Sequence, residues 1–142
     1  MEINNKPYYF RKIIATIIDY GLLYSFFWVY MSVYGEPNSE NGYSVDGIYA
    51  LPPYLFWFII LPLFESLFSQ TIGHFIVDLK IIDVSNGGKP SIAQSFKRRI
   101  ADIIDLFFFG IPAFISINKS KNNQRLGDLW SDTIVVSFNY KE

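Results

Sequence analysis

The sequence predicts an all-α membrane protein with two transmembrane helices, a third short or re-entrant helical segment, and a small cytoplasmic β element pairing residues 79–84 with 133–138. Three observations predict it. Of 142 residues, 51% are hydrophobic and 19% aromatic against 18% charged, an unusual balance for a water-soluble domain. Two apolar runs are long enough, at about 1.5 Å of rise per residue, to cross a hydrocarbon core of roughly 30 Å. The loop between them carries acids but no lysine or arginine. The length suits one domain over residues 1–142.

Composition removes several function classes. A net charge of −1 offers no surplus of positive charge to neutralise phosphates, so no nucleic-acid partner is expected. With no cysteine and one histidine, His74, an ordinary zinc site lacks ligands, and neither metal nor cofactor is predicted. Residues 1–12 are polar and aromatic, and the run that follows is longer than a signal-peptide core and lacks a small-residue cleavage site. The first hydrophobic segment is therefore expected in the mature protein.

The first span is predicted over 13–33, where Asp19 is the only charge. Residues 34–48, YGEPNSENGYSVDGI, read as a loop with Glu36, Glu40 and Asp46. The second span covers 49–68, with Pro52 and Pro53 near its start, Pro62 as a kink and Glu65 near its end. LKIIDV (79–84) is β-prone, SNGGKP supplies a turn, and Ser91 caps a helix bearing Lys97, Arg98 and Arg99. That third segment, 92–117, becomes apolar from Ile103 and is broken by Gly110 and Pro112. Its apolar part would reach only about 22 Å as a straight helix, short for a crossing.

Positive charge sets the expected topology. If the third segment dips in and returns, Lys6, Arg11, Lys12 and all nine basic residues after Glu65 lie on one side. A full crossing moves Lys119, Lys121, Arg125 and Lys141 to the other. The cytoplasmic preference of lysine and arginine favours the re-entrant path with the N-terminus inside, which also lets LKIIDV pair with TIVVSF (133–138).

An ionised aspartate at mid-helix depth costs about 2.5–3.5 kcal/mol on insertion scales, so Asp19 needs a partner. Lys12 lies seven residues earlier on the same face, but roughly 10 Å away along the axis, and is expected to snorkel back to the interface. Another segment must therefore supply the partner. Arg98, Arg99, Arg125 and His74 are the candidates, arginine being favoured for its planar fork. IATIID (14–19) is nearly repeated as IADIID (100–105), and Arg98 precedes Asp105 by seven residues as Lys12 precedes Asp19. Each copy also has a small residue, Ala15 or Ala101, so two facing units could cross-pair their charges. Ser66, Ser69 and Thr71 near His74 form no nucleophile arrangement, Gly87-Gly88 lacks a phosphate-binding frame, and no catalytic residue is expected.

Four stretches in order, RKIIATIID, FESLFSQTIG, KIIDVSNGGKPSIAQSFKRRIADIID and QRLGDLWSDTIVV, together span most of the chain. They resemble the RDD family, small bacterial integral membrane proteins named for an arginine and two aspartates. Carried over, the aspartates are Asp19 and Asp128. The arginine position holds Lys12, with Arg11 one residue early, His74 stands where lysine is usual, and Gly127 where histidine is common. The resemblance implies a multi-pass protein of the bacterial cytoplasmic (inner) membrane, with lipid and other membrane proteins or copies of itself as partners. It implies cation/proton or solute transport for some members. Two functions are thus expected: an oligomeric transporter binding Na⁺ or H⁺ at intramembrane aspartates, or a non-transporting assembly or regulatory subunit with structural ion pairs. The residues expected to carry either are Asp19, Arg11, Lys12, Glu65, Arg98, Asp105, Arg125 and Asp128.

Overall fold

The computed structural model describes residues 8–137. Helix α1, Tyr9–Tyr34, is the first long helix. Its only fully buried residues are Lys12, Ala15 and Asp19, spaced by three and four so that they form one stripe. Ile13, Ile17, Trp28 and Val33 point outward and are more than half exposed. The helix is thus inside-out, with its small and charged face toward the protein and its apolar face outward. The hydroxyls of Thr16 and Ser25 bond back to the carbonyls of Lys12 and Gly21, so neither leaves a donor on the apolar face.

Part of the expected loop is a short hairpin of β1 (Glu36–Pro37) and β2 (Tyr43–Ser44). The Asn38 side-chain oxygen closes its turn by accepting from the backbone N–H groups of Glu40 and Gly42. The second long helix runs over Gly47–Phe68. It opens with a 3-10 turn, continues as α2 (Leu51–Phe58), widens into a π turn (Ile59–Leu63) and ends as α3 (Phe64–Phe68). Pro52 and Pro53 occupy the first turn of α2, where no N–H is needed. Pro62, expected to kink the helix, lies inside the π turn, which accommodates its missing donor. Both long helices are apolar and long enough to cross a membrane.

Ser91 caps α5 (Ile92–Phe107) as expected, in a box completed by Gln94. The chain then turns by 117° into α6 (Ile111–Lys119). Gly110 adopts the left-handed conformation at φ 77 and Pro112 starts α6, so the two predicted breakers produce the bend. A single straight helix over 92–117 is therefore excluded. Two further short helices were not expected, α4 (Ile72–Ile76) and α7 (Leu126–Trp130).

Strands β3 (Leu79–Asp83) and β4 (Thr133–Ser137) pair antiparallel, as the sequence predicts for 79–84 with 133–138. Phe138 lies outside the described residues, as do Lys6 and Lys141. Leu79, Ile81 and Val135 pack together, and Ile82, Ile134 and Val136 form a second cluster. β3 precedes the bent α5–α6 segment and β4 follows it, so the chain returns to the place it left.

The strand register also extends the repeat. Its central pair is Ile81↔Val135, and these residues are themselves equivalent under a 54-residue shift. The same shift relates Gln70 to Gln124, Gly73 to Gly127 and Asp78 to Asp132. Gln70 Nε2 donates to the Leu79 carbonyl at 2.9 Å, and Gln124 Nε2 to the Thr133 carbonyl at 2.7 Å. Asp78 and Asp132 both have positive φ, 55 and 53. Gly73 lies against Ala15, and Gly127 against Ala101. Each half is therefore a helix with a buried alanine, a short helix bearing a glycine, an aspartate turn and a strand, and the two strands pair symmetrically about Ile81 and Val135.

Candidate functional site: a buried charge cluster

The amphipathic pattern of α5 puts its charges on the protein side. Ser95, Arg98, Arg99, Ala101, Asp102 and Asp105 are buried, while Ile103 and Phe107 are 62% and 77% exposed. Glu65, at the end of the second long helix, receives both arginines. Arg98 Nε lies 2.9 Å from Glu65 Oε1, and Arg99 Nη2 meets Oε2. Arg98 Nη1 reaches Asp128 Oδ1 and donates to Thr133 Oγ1 at 3.0 Å. Arg99 Nη1 donates to Asp102 Oδ2 at 2.8 Å, and the Tyr20 hydroxyl donates to the same oxygen at 3.2 Å. Arg125 lies 3.5 Å from Asp102 and 3.9 Å from Asp128, and its backbone N–H donates to Asp128 Oδ2 at 2.9 Å.

Three carboxylates and three guanidinium groups thus alternate and cancel. Each ion costs several kcal/mol to desolvate, and only alternation with additional hydrogen bonds offsets that cost. Burial alone would raise the Asp128 pKa, but Arg98, Arg125, Lys12 and the Arg125 N–H hold it at about 2. Burial likewise opposes the charge on Arg125, and Asp102 and Asp128 outweigh it, leaving its pKa raised.

Asp19 has other partners. Thr71 Oγ1 donates to Oδ2 at 2.5 Å, the Gly73 N–H donates to Oδ1 at 2.7 Å, and His74 Nδ1 lies 3.7 Å away. Because the Thr71 proton goes to Asp19, the 2.7 Å contact between Thr71 Oγ1 and His74 Nδ1 makes the ring nitrogen the donor. Burial pushes the His74 pKa down against the opposing pull of Asp19. The predicted arginine partner for Asp19 is thereby corrected, while His74, the other candidate, is in place. The arginines are consumed by Glu65, Asp102 and Asp128. The close approach of α4 to α1, where a side chain at Gly73 would overlap the Ala15 carbonyl, brings a backbone donor to the carboxylate instead.

Two further expectations change. Among the described residues Lys12 does not pair with Asp105, nor Arg98 with Asp19, so the two copies do not cross-pair. Lys12 is buried rather than snorkelling outward, and its Nζ donates to the Asn123 carbonyl at 2.8 Å. Arg11 is exposed, its guanidinium 5.8 Å from the Tyr8 ring and away from the cluster. Asp105 is buried, and no side chain among the described residues donates to either carboxylate oxygen, the Ala113 backbone N–H being the donor beside it. Sequence reading missed Asp102 altogether. Its signal was its place three residues from both Arg99 and Asp105, on the polar stripe of an otherwise apolar helix.

A groove of about 690 Å³ runs between α1 and the α5–α6 bend. Lys12, Asp102, Asp105 and Arg125 stand among its lining residues, with apolar side chains including Ile13, Ile17, Leu106 and Phe114. Of the comparisons with known proteins, the model of the RDD family matches residues 7–132, nearly the whole chain. No curated protein and no solved structure matches it.

Proposed function

The chain belongs to the RDD family, and on that premise we propose an integral membrane protein whose two long helices span the bilayer and whose bent third segment re-enters, with the N-terminus in the bacterial cytoplasm. Pairing of β3 with β4 supports the re-entrant path, because the strands flank that segment and must share a compartment. The outward apolar faces of α1 and α5 support lipid contact. Labelling of Lys121→Cys from each side of sealed vesicles tests the path, and modification only from the cytoplasmic side is expected.

Within that frame the role best supported is a non-enzymatic assembly or regulatory subunit, acting as an oligomer or with other membrane proteins. One observation carries it. Glu65, Arg98, Arg99, Asp102, Arg125 and Asp128 close on themselves, so their charges are committed to structure. Asp19 is saturated as well. Transport asks instead for a carboxylate able to exchange a proton or Na⁺, and Asp105 alone among the candidates answers that description. Reconstitution into proteoliposomes separates the two. The scaffold role predicts no Na⁺-dependent proton movement and loss of assembly in Arg98→Gln. Cation flux in the wild type that disappears in a normally assembled Asp105→Asn protein would establish transport instead.

A further inference from the structure

The buried charges leave a remainder. Once the six-membered cluster is closed and Asp19 is satisfied by Thr71, Gly73 and His74, Lys12 and Asp105 are left without an ion pair among the described residues. Asp83, the other buried acid, is satisfied by Ser85. Both remaining groups line the same groove, as do Asp102 and Arg125, whose charges the cluster already holds. The rest of that groove is largely aliphatic and aromatic. It therefore offers one carboxylate and one cationic donor without an ion pair, and an apolar channel.

We propose that this groove binds an aminophospholipid, with the primary ammonium on Asp105, the phosphate toward Lys12, and an acyl chain along Ile13, Ile17 and Phe114. A buried carboxylate with no ion pair and no side-chain donor is costly, and an N–H-bearing cation removes that cost. Phosphatidylcholine carries positive charge but no N–H, so it cannot satisfy Asp105. Phosphatidylglycerol brings no cation. A hard metal ion needs a shell of oxygen ligands, and among the described residues no three acidic or histidine side chains come together to supply one. The matched half of the molecule supplies the control, since there Thr71 and Gly73 give Asp19 its donors from the protein itself. The inference rests on membrane residence and is independent of whether the charge cluster is a scaffold.

The test uses the full chain, purified in detergent, delipidated and titrated with phosphatidylethanolamine, phosphatidylcholine or phosphatidylglycerol, with retained lipid counted by native mass spectrometry. Phosphatidylethanolamine should be retained about tenfold better than the other two, the equivalent of one hydrogen bond to a charged group. Asp105→Asn should abolish that preference. Ile17→Trp, which fills the groove from an exposed position, should reduce retention of all three while leaving Tm unchanged. Free phosphoethanolamine should not compete. Equal retention of the three lipids by the wild type, an unchanged preference in Asp105→Asn, or displacement by free phosphoethanolamine would each overturn the proposal.

Discussion

Asp19 and Asp105 close matching stretches on matching helices, yet the first carboxylate accepts from a side chain and a backbone N–H beside a histidine, and the second has no side-chain donor among the described residues. The difference arises at the short helices. In the first half the residue after the glycine is His74, which burial keeps toward its neutral form, so Thr71 and the Gly73 N–H remain for Asp19. In the second half the same position is Asp128, a buried anion that takes up Arg98 and Arg125. Arg125, standing where Thr71 stands in the first half, is drawn to Asp102 and Asp128 rather than to Asp105. Two exchanges of neutral for charged residue, Thr71 for Arg125 and His74 for Asp128, thus redirect the polar groups of a whole half. They also explain why every member of the ion cluster except Glu65 lies on the second half.

The largest effect is expected from breaking that cluster. Arg98→Met leaves Glu65 and Asp128 facing each other's side of the core without a shared cation, and should cost about 3–5 kcal/mol. It should appear as a large fall in thermal stability in detergent and in the amount of protein recovered from membranes. The two aspartates should then separate cleanly. Asp19→Asn gives up charge-assisted hydrogen bonds and should lose about 1.5–3 kcal/mol. Asp105→Asn removes an unpaired buried charge and should leave Tm equal or higher. Equal losses in the two variants would erase the contrast.

The glycines give a smaller contrast of the same kind. A Cβ at Gly73 overlaps the Ala15 carbonyl, which is backbone and cannot turn aside, and lies 2.9 Å from Asp19 Cγ. At Gly127 the nearest atom is the Ala101 Cβ at 3.0 Å. Both replacements by alanine should destabilise by about 1–3 kcal/mol, the Gly73 variant at the upper end. A Gly127→Ala protein less stable than Gly73→Ala would contradict the closer packing of the first half.

Much of this architecture was legible in the sequence. Apolar length placed both long helices, Gly110 and Pro112 placed the bend, and β-prone runs placed the strand pair. The partner of Asp19 was not, for a physical reason. Charge-based reasoning ranks side-chain cations, whereas the actual donors include a backbone N–H that only the Gly73–Ala15 approach brings within reach. Asp102 escaped because, apart from Arg99 three residues earlier, its partners Arg125 and Tyr20 come from distant parts of the chain that no local spacing announces. The repeat was read over six letters. Its remainder, Gln70, Gly73 and Asp78 against Gln124, Gly127 and Asp132, is too sparse to stand out until the strand register aligns it.

The mildest way to sharpen the comparison is pH, because equivalent positions 74 and 128 both lose stability on acidification but in separate windows. Burial leads the depression of the His74 pKa in the folded protein, so below the ordinary histidine value of 6.5 the unfolded chain takes up protons that the folded one resists. Stability should fall as pH drops below 6.5, and this loss belongs to the first half. For Asp128 the folded value of about 2 lies under the ordinary 3.8. Its contribution is fully present above the unfolded value and is lost only as pH falls from there toward 2. Between pH 7.5 and 5 Asp128 should therefore be silent and His74 should carry its share of the slope. Tm measured across that range should decline in the wild type and flatten in His74→Gln. A wild-type Tm that rises on acidification, and loses that rise in His74→Gln, would mean that His74 is held protonated against Asp19. The two halves would then share the same logic of buried ion pairs.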